Sequence, residues 1–410
     1  MLLFGAIGTA VAASAMSSSP PLAPAGSIAS ALTLRVTGNP AEAGFLREQA
    51  ANAAQRAAQT RPNARAIAAA EKIDVFPSLA PDDVITLDVP VKVEGTGYRA
   101  TDGTTHVRVE NVALPSVQPR WLSVVQLPDV SRRAATLLTS DVPAGASVRF
   151  LAQATSPSRG GERRVLFNLA NDSSLMSTVQ LIEGAAGPEE SAITAGHLAA
   201  GRFLLRLLQD EGIIIAVPPH AAVPLVQQTL SKGESSCALL QVRVLNGAAL
   251  RGSLRFEGLS GREDAASEKA TAVPFARYAP AEFRIERTYV TPGDDLVVPI
   301  GTVPLTDESG ETALLGDYGV VQRITIRMVN NDSRPARVAL SVSPRGGPAM
   351  ASFVLDRVFL EIGPMETFSQ HTLKEYVLPP HADVTATLVT IPEFGSAYPL
   401  NLTAGAVSIR

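Results

Sequence analysis

Histidines, paired carboxylates and a lone thiol are the residues through which this chain would catalyse a reaction or hold a metal, and their spacing points to neither. The five histidines, His106, His197, His220, His371 and His381, form no His-Glu-x-x-His helix and no other ligand spacing. His220 and His381 stand apart because each follows Pro-Pro and precedes Ala. They read either as paired ligands or as turn residues before a strand, and the turn reading is preferred because repeating a fold element repeats its turn chemistry. Asp82-Asp83 and Asp294-Asp295 offer hard oxygen ligands of the kind calcium selects. Neither pair lies in a graded loop of oxygen donors, so both are read as solvated strand entries, and Asp307-Glu308-Ser309-Gly310-Glu311 as an exposed hairpin tip.

The only cysteine, Cys237, rules out an intramolecular disulfide and any site needing two thiolates from this chain. Its setting, Ser236-Cys237-Ala238-Leu239-Leu240, opens an apolar strand pattern and predicts a buried free thiol. No Gly-x-Ser-x-Gly elbow, phosphate-binding loop or dinucleotide fingerprint occurs, so no catalytic residue, metal ligand or cofactor is nominated. Aromatics make up 5% of the chain, and the single tryptophan, Trp121, is the one ligand platform nominated, a ring on which a sugar would stack. A formal charge of -4 gives no global field for phosphate backbones, so nucleic acid is not expected as a partner. Arg132-Arg133 and Arg163-Arg164 are read as solvated surface, and Asn171, Asn331 and Asn401 fit the glycosylation sequon.

The elements that must position these residues are mostly strands. Beyond Phe76 the chain runs in short alternating segments broken by Gly, Pro, Asp and Asn, the pattern of antiparallel sheets with one solvated face. Phe203 to Leu208, Asp210-Glu211-Gly212 and Ile213 to Val217 are read as a hairpin, with helix as the competitor for the first arm. Upstream, Ala41 to Gln59 is alanine-rich and predicts a helix with little to bury, a loosely docked arm, and Ala64 to Lys72 a second short helix. Ser17 to Pro24 reads as a linker. The apolar start followed by Ala13-Ser14-Ala15 predicts a signal peptide over residues 1–15 without the usual basic flank, an uncleaved anchor being the alternative. The chain is therefore expected to be exported, to the periplasm, the cell surface or the medium.

An internal repeat organises the rest. Arg164 to Ser173 matches Ile324 to Ser333, with Asn-Asp-Ser triplets 160 residues apart, and Val217-Pro218-Pro219-His220-Ala221 matches Leu378-Pro379-Pro380-His381-Ala382 at 161. A weaker third copy is suggested by Asp141 to Val148, which resembles the Pro-Pro-His-Ala segment, and by Ala80 to Ile85, which resembles Thr291 to Leu296. The expected division is a linker and helical arm over 16–75, then β-sandwiches over 76–158, 159–275 and 276–410. Strand, Asn-rich turn, strand and a proline-led later strand resemble the generic bacterial immunoglobulin-like sandwich, including the broad group related to periplasmic chaperone and major-sperm-protein domains. That resemblance implies a mainly β fold of tandem immunoglobulin-like antiparallel sandwiches and carries no particular activity.

The expected role is a non-catalytic secreted or cell-envelope protein serving as a structural or interaction module. Its partner would be another envelope or extracellular protein, or a second copy of itself. The alternative is a module binding a polysaccharide, a glycan or another envelope polymer, through Trp121. A divergent hydrolase with an interdomain site ranks third.

Overall fold

Alternation of apolar and polar residues builds most of the elements. In the computed structural model, which describes residues 22–74, 78–127, 138–156, 162–258 and 273–407, the chain is mainly β with two α-helices among the described residues. Strand Val84–Gly95 buries Leu87, Val89, Val91 and Val93 and turns the intervening residues outward, the period of two that a half-buried strand requires.

Two compact units are distinguished. The described part of the smaller comprises residues 22–33, 47–74 and 86–108. Within it Ala64–Ala68 pairs antiparallel with residues 91–95, and Gly26–Ser27 with Gln59–Thr60. The Ala64 to Lys72 segment is thus a strand followed by a single 3-10 turn, Ala70–Lys72, because ladder pairing overrides the helix propensity of alanine. The end of the expected linker is also ordered: Ala25 N–H donates to Arg99 O at 2.8 Å and Arg99 N–H to Ala23 O at 2.9 Å. Helix α1 (Ala43–Ala57) falls inside the alanine-rich segment but is no loose arm. Of its residues in this unit Ala50, Ala51 and Ala54 are buried, since small side chains at i and i+4 make a flat face that packs close to the backbone.

The larger unit comprises residues 34–46, 78–85 and 109–407 as described. Its middle part has one sheet in the order Ala221–Leu230, Arg163–Asn171, Leu250–Gly258, Leu138–Val142 and Val273–Pro274. A second runs Ala276–Tyr278, Leu122–Leu127, Ser147–Thr155, Ser235–Asn246, Ser177–Glu189 and Gly212–Val217. Edge-to-face rings of Phe150, Phe167 and Phe275, with centroids 5.1 to 6.3 Å apart, fill the middle core. Strands Leu138–Val142 and Ser147–Thr155 pair with Leu250–Gly258 and Ser235–Asn246, so the expected boundary at 158 cuts through the ladders of the middle part. In the C-terminal part, Glu282–Thr291, Val321–Asn330, Asp383–Thr390, Ala349–Leu355 and Val358–Met365 form one sheet, and Leu296–Ile300, Leu400–Ala406, Ala336–Pro344 and His371–Leu378 the other. Both contribute to a single core containing Tyr289, Ile326, Phe353, Leu340 and Leu402.

The segment Phe203 to Leu208 is the end of helix α2 (Ala192–Leu208), not a hairpin arm. Its apolar run continues upstream through Ala195, Ala199 and Ala200, and burial follows helical spacing. Asp210-Glu211-Gly212 is the helix exit. Glu211 N–H donates to Arg206 O at 2.8 Å and Asp210 N–H to Leu207 O at 3.4 Å, with Asp210 left-handed at φ 52°, the Schellman arrangement. At its other end Ser191 caps the helix through Thr194 N–H. Small residues let α2 approach its neighbours closely: a Cβ on Gly184 would strike Ala199 O and Phe203, and one on Gly196 would strike Phe394 O. Among the described residues no helix is long and apolar enough to cross a membrane. The leader expected over residues 1–15 and the pair Arg132-Arg133 lie outside the described residues.

Candidate functional site

His220 and His381 are turn residues. Both sit at positive φ, 51° and 54°, third in the turns Pro218-Pro219-His220-Ala221 and Pro379-Pro380-His381-Ala382. Ala382 N–H closes the second turn on Pro379 O at 3.3 Å, a geometry that favours proline second and a residue tolerant of left-handed backbone third. The same turn recurs at Ala80-Pro81-Asp82-Asp83, closed at 3.2 Å, and at Pro143-Ala144-Gly145-Ala146, closed at 3.1 Å, with Asp82 and Gly145 at positive φ. Ala80 to Asp83 therefore corresponds to Pro379 to Ala382 rather than to Thr291 to Leu296. A buried asparagine braces each of three turns: Nδ2 of Asn111 donates to Leu79 O at 2.9 Å, that of Asn171 to Val217 O at 3.0 Å, and that of Asn330 to Leu378 O at 3.2 Å. The amide of the Asn171 sequon is thus buried and engaged. Asp307 accepts from Glu311 and Thr312 N–H, both at 3.0 Å, across its hairpin tip, whereas Arg163-Arg164, expected as solvated surface, are half-buried at the start of strand Arg163–Asn171 because the ladder on both sides covers them. Among the described residues no cluster of three or more His, Cys, Asp or Glu is arranged to hold a metal ion.

Trp121 is not an open platform. The indole is 7% exposed, its Nε1–H donates to Ser123 Oγ at 3.2 Å, and the Arg120 and Arg277 guanidinium carbons stand 5.6 and 5.0 Å from its centroid. It faces inward at the start of a strand, where covering a large ring outweighs leaving it to solvent.

Two histidines meet a carboxylate: His106 lies 2.7 Å from Asp88 on the exposed surface, and His197 enters a buried cluster. Nδ1 of His197, on α2, lies 2.7 Å from Oε2 of the fully buried Glu393 and 3.5 Å from Ser352 Oγ. Burial opposes the His197 proton, but Glu393 and then Glu361 outweigh it and raise its pKa. Burial pushes the Glu393 carboxyl up as well. A Ser-His-acid relay needs serine on one ring nitrogen and the acid on the other. Here both approach Nδ1, inside the core shared by Ala195, Phe203, Ile391 and Phe394. This pair ties α2 to the Glu393 turn. Cys237, in the same core, is fully buried with its thiol pushed up to about 12, chiefly by burial.

A polar cleft of about 450 Å³ lies between the Ser116–Pro119 segment, the end of α2 and the strands Glu282–Thr291 and Val321–Asn330. At its base Arg149 is fully buried. Its Nη1 donates to Ala281 O at 2.7 Å and to Gly319 O at 3.2 Å, and its Nη2 to Gln241 Oε1 at 3.0 Å, while Nε has no partner among the described residues. Burial lowers its pKa to about 9. At the mouth Glu282 accepts from Arg323 Nε at 2.9 Å and lies 3.5 Å from Arg284. The Asp210 carboxyl, placed by the helix exit, is pushed up by burial against a hydrogen bond from Ser116. None of these groups was nominated from the sequence. The available signal was Arg149 itself, a charge inside the otherwise apolar run Val148-Arg149-Phe150-Leu151-Ala152.

No family model matches the chain, and no curated protein does. Among solved structures, tripeptidyl peptidase 2 (TPP II) aligns over 84% of this chain at 9% identity and TM-score 0.18, and the chain spans 30% of that protein's length. A tandem CBM22-1-CBM22-2 domain from Paenibacillus barcinonensis Xyn10C aligns over 85% of this chain and 92% of its own at 6% identity and TM-score 0.14. The CupB6 tip adhesin from Pseudomonas aeruginosa aligns over 70% and 92% at 9% identity and TM-score 0.13.

Proposed function

We propose that this chain is a non-catalytic exported protein of immunoglobulin-like sandwiches, acting as an interaction module, and that the cleft over Arg149 is its partner site. The observation that carries this reading is the composition of the cleft. Its charged groups are guanidinium and carboxylate, with Glu282 already bridging Arg323 and Arg284, and Asp210 and Ser116 meet there without an imidazole. Such an array orients and selects a partner through charge rather than moving protons. The buried histidine paired with a carboxylate, His197, is sealed in the core. Affinity capture from an envelope extract tests the reading, with wild type beside Arg284→Glu. A species retained by wild type and lost from the variant supports it. Turnover of any substrate in a broad hydrolytic panel, abolished by Asp210→Asn, overturns it.

A further inference from the structure

We infer that the cleft receives an extended acidic peptide segment of a partner protein, added as a strand beside Glu282–Thr291. The inference rests on reading the cleft as the partner site and names what enters it.

Backbone geometry supplies the first argument. Glu282–Thr291 is the end strand of its sheet, and among the described strands it pairs only with Val321–Asn330, in parallel from Glu282↔Val321 to Thr291↔Asn330. Half of its N–H and C=O groups therefore face away from the ladder, the edge that strand addition uses. The strand is ten residues long and contains no proline, and its Glu286 carbonyl, which accepts from Arg287 Nη1 at 2.8 Å, would be released on pairing.

Charge supplies the second. The whole chain is formally -4, yet the cleft and the adjoining trough of about 480 Å³ gather Arg149, Arg284, Arg287, Arg323 and Arg327. Glu286 and Thr325 line both hollows, which makes them continuous along the strand. Against those arginines stand Glu282, Glu286 and Asp210, and Arg327 is bridged to Asp383 at 2.8 Å. Arg149 touches carbonyls and an amide but no carboxylate among the described residues, so its desolvated charge is not matched by an ion pair. Arg284 and Arg323 are register partners, with side chains 71% and 38% exposed. An incoming glutamate at that level would compete with Glu282 for these guanidinium groups, first for Arg284, which lies on the edge strand itself and is the more exposed. Side chains two residues apart share a face at roughly 6.6 Å spacing, so alternate acidic residues would follow the row from Arg284 toward Arg327.

The test is fluorescence anisotropy on the purified full chain. The probe is a fluorescein-labelled peptide of about ten residues alternating Glu and Thr. Comparison probes carry Lys for Glu, or the same acidic sequence with alternate backbone nitrogens methylated, and an oligogalacturonate of similar charge serves as a non-peptide polyanion. We expect the acidic peptide to bind, and the Lys and N-methylated peptides to bind at least about tenfold more weakly. Arg284→Glu and, separately, Arg323→Gln should each weaken the acidic peptide by about tenfold or more. Both side chains are partly or largely exposed, so the variants fold, which circular dichroism verifies. Equal binding of the N-methylated peptide overturns strand addition, and equal binding of the oligogalacturonate overturns a peptide ligand. Should the peptide fail while Arg284→Glu still abolishes capture from extract, this inference falls and the partner-site reading stands. Failure of both removes both.

Discussion

Asn330 holds Leu378 O as Asn171 holds Val217 O, at 3.2 and 3.0 Å, and in each case the braced residue stands three positions before a left-handed histidine. Each asparagine also donates to its own turn, at Arg334 O and Leu175 O, and accepts through Oδ1 from the backbone N–H of Asp332 or Ser173. Truncation would strand several buried backbone groups at once. Asn171→Ala and Asn330→Ala should each cost about 2 kcal/mol in urea denaturation. Asn331→Ala, one residue along and exposed, should cost under about 0.5 kcal/mol.

The left-handed backbone of His220 and His381 makes a second prediction, which separates turn chemistry from metal binding. Glycine adopts this φ without a Cβ penalty, whereas a β-branched residue does not. His220→Gly and His381→Gly should change stability by less than about 1 kcal/mol, and the Val variants should lose about 1–2 kcal/mol. Zinc or nickel that raised the melting temperature of wild type and not of the Gly variants would contradict the turn role.

Much of the framework was readable in the chain because turn chemistry is local. Proline second and an αL-tolerant residue third announce a turn whatever surrounds it, and the buried asparagines lie within one residue of the expected landmarks. The register slipped there: Val329-Asn330-Asn331 carries two asparagines, and only strand parity in the folded sheet decides that Asn330 points inward. Helix α2 was obscured for a related reason. Phe203 to Leu208 is apolar nearly throughout, so periodicity does not separate helix from strand, and the deciding alanines lie a turn or two upstream. Glu282 and Glu393 were beyond reach, because a charged residue read alone is assigned to solvent, and Arg149 was marked only by its apolar neighbours. Their partners lie far along the chain, Gln241 at a separation of 92 from Arg149, His197 at 196 from Glu393 and Arg323 at 41 from Glu282.

The His197–Glu393 pair makes stability depend on pH. His197 has its pKa raised above 6.5, so its contribution is fully present below 6.5 and is lost as pH rises through the folded value. Glu393, raised above 4.5 by burial, contributes with the same sign: the folded form binds its proton more tightly, and that advantage fades as pH rises. Wild type should therefore lose stability from 4.5 upward through and beyond 6.5. In urea titrations at stepped pH, the double variant His197→Gln, Glu393→Gln should show a flatter profile across that window. His197→Leu alone should cost about 3–5 kcal/mol, because it leaves Glu393 buried without its partner.

Cys237 should be silent in the folded protein. A fully buried thiol held at about 12 presents almost no thiolate at pH 8 and no path for reagent. Ellman's reagent should react with none of it under native conditions and with one equivalent per chain in urea. Prompt native reaction would mean that the core around α2 opens far more readily than its packing implies.

Contact between Gly196 and the Phe394 carbonyl sets how closely α2 meets the Glu393 turn. A Cβ at that position overlaps backbone, which cannot swing aside as a flexible side chain would, so Gly196→Ala should displace the helix or the turn and lengthen the His197–Glu393 bond. The expected loss is about 1–3 kcal/mol, opposite in sign to the gain of about 1 kcal/mol that alanine gives in an unobstructed helix. Gly44, in the first turn of α1, is the control, for its Cβ would meet nothing within 4 Å. Gly44→Ala should be neutral or stabilise by up to about 1 kcal/mol. Thermal melts of the two variants at one pH compare the effects directly. Because the displacement weakens the ion pair, Gly196→Ala should also flatten the pH profile of stability, which a purely steric loss elsewhere in the helix would leave unchanged.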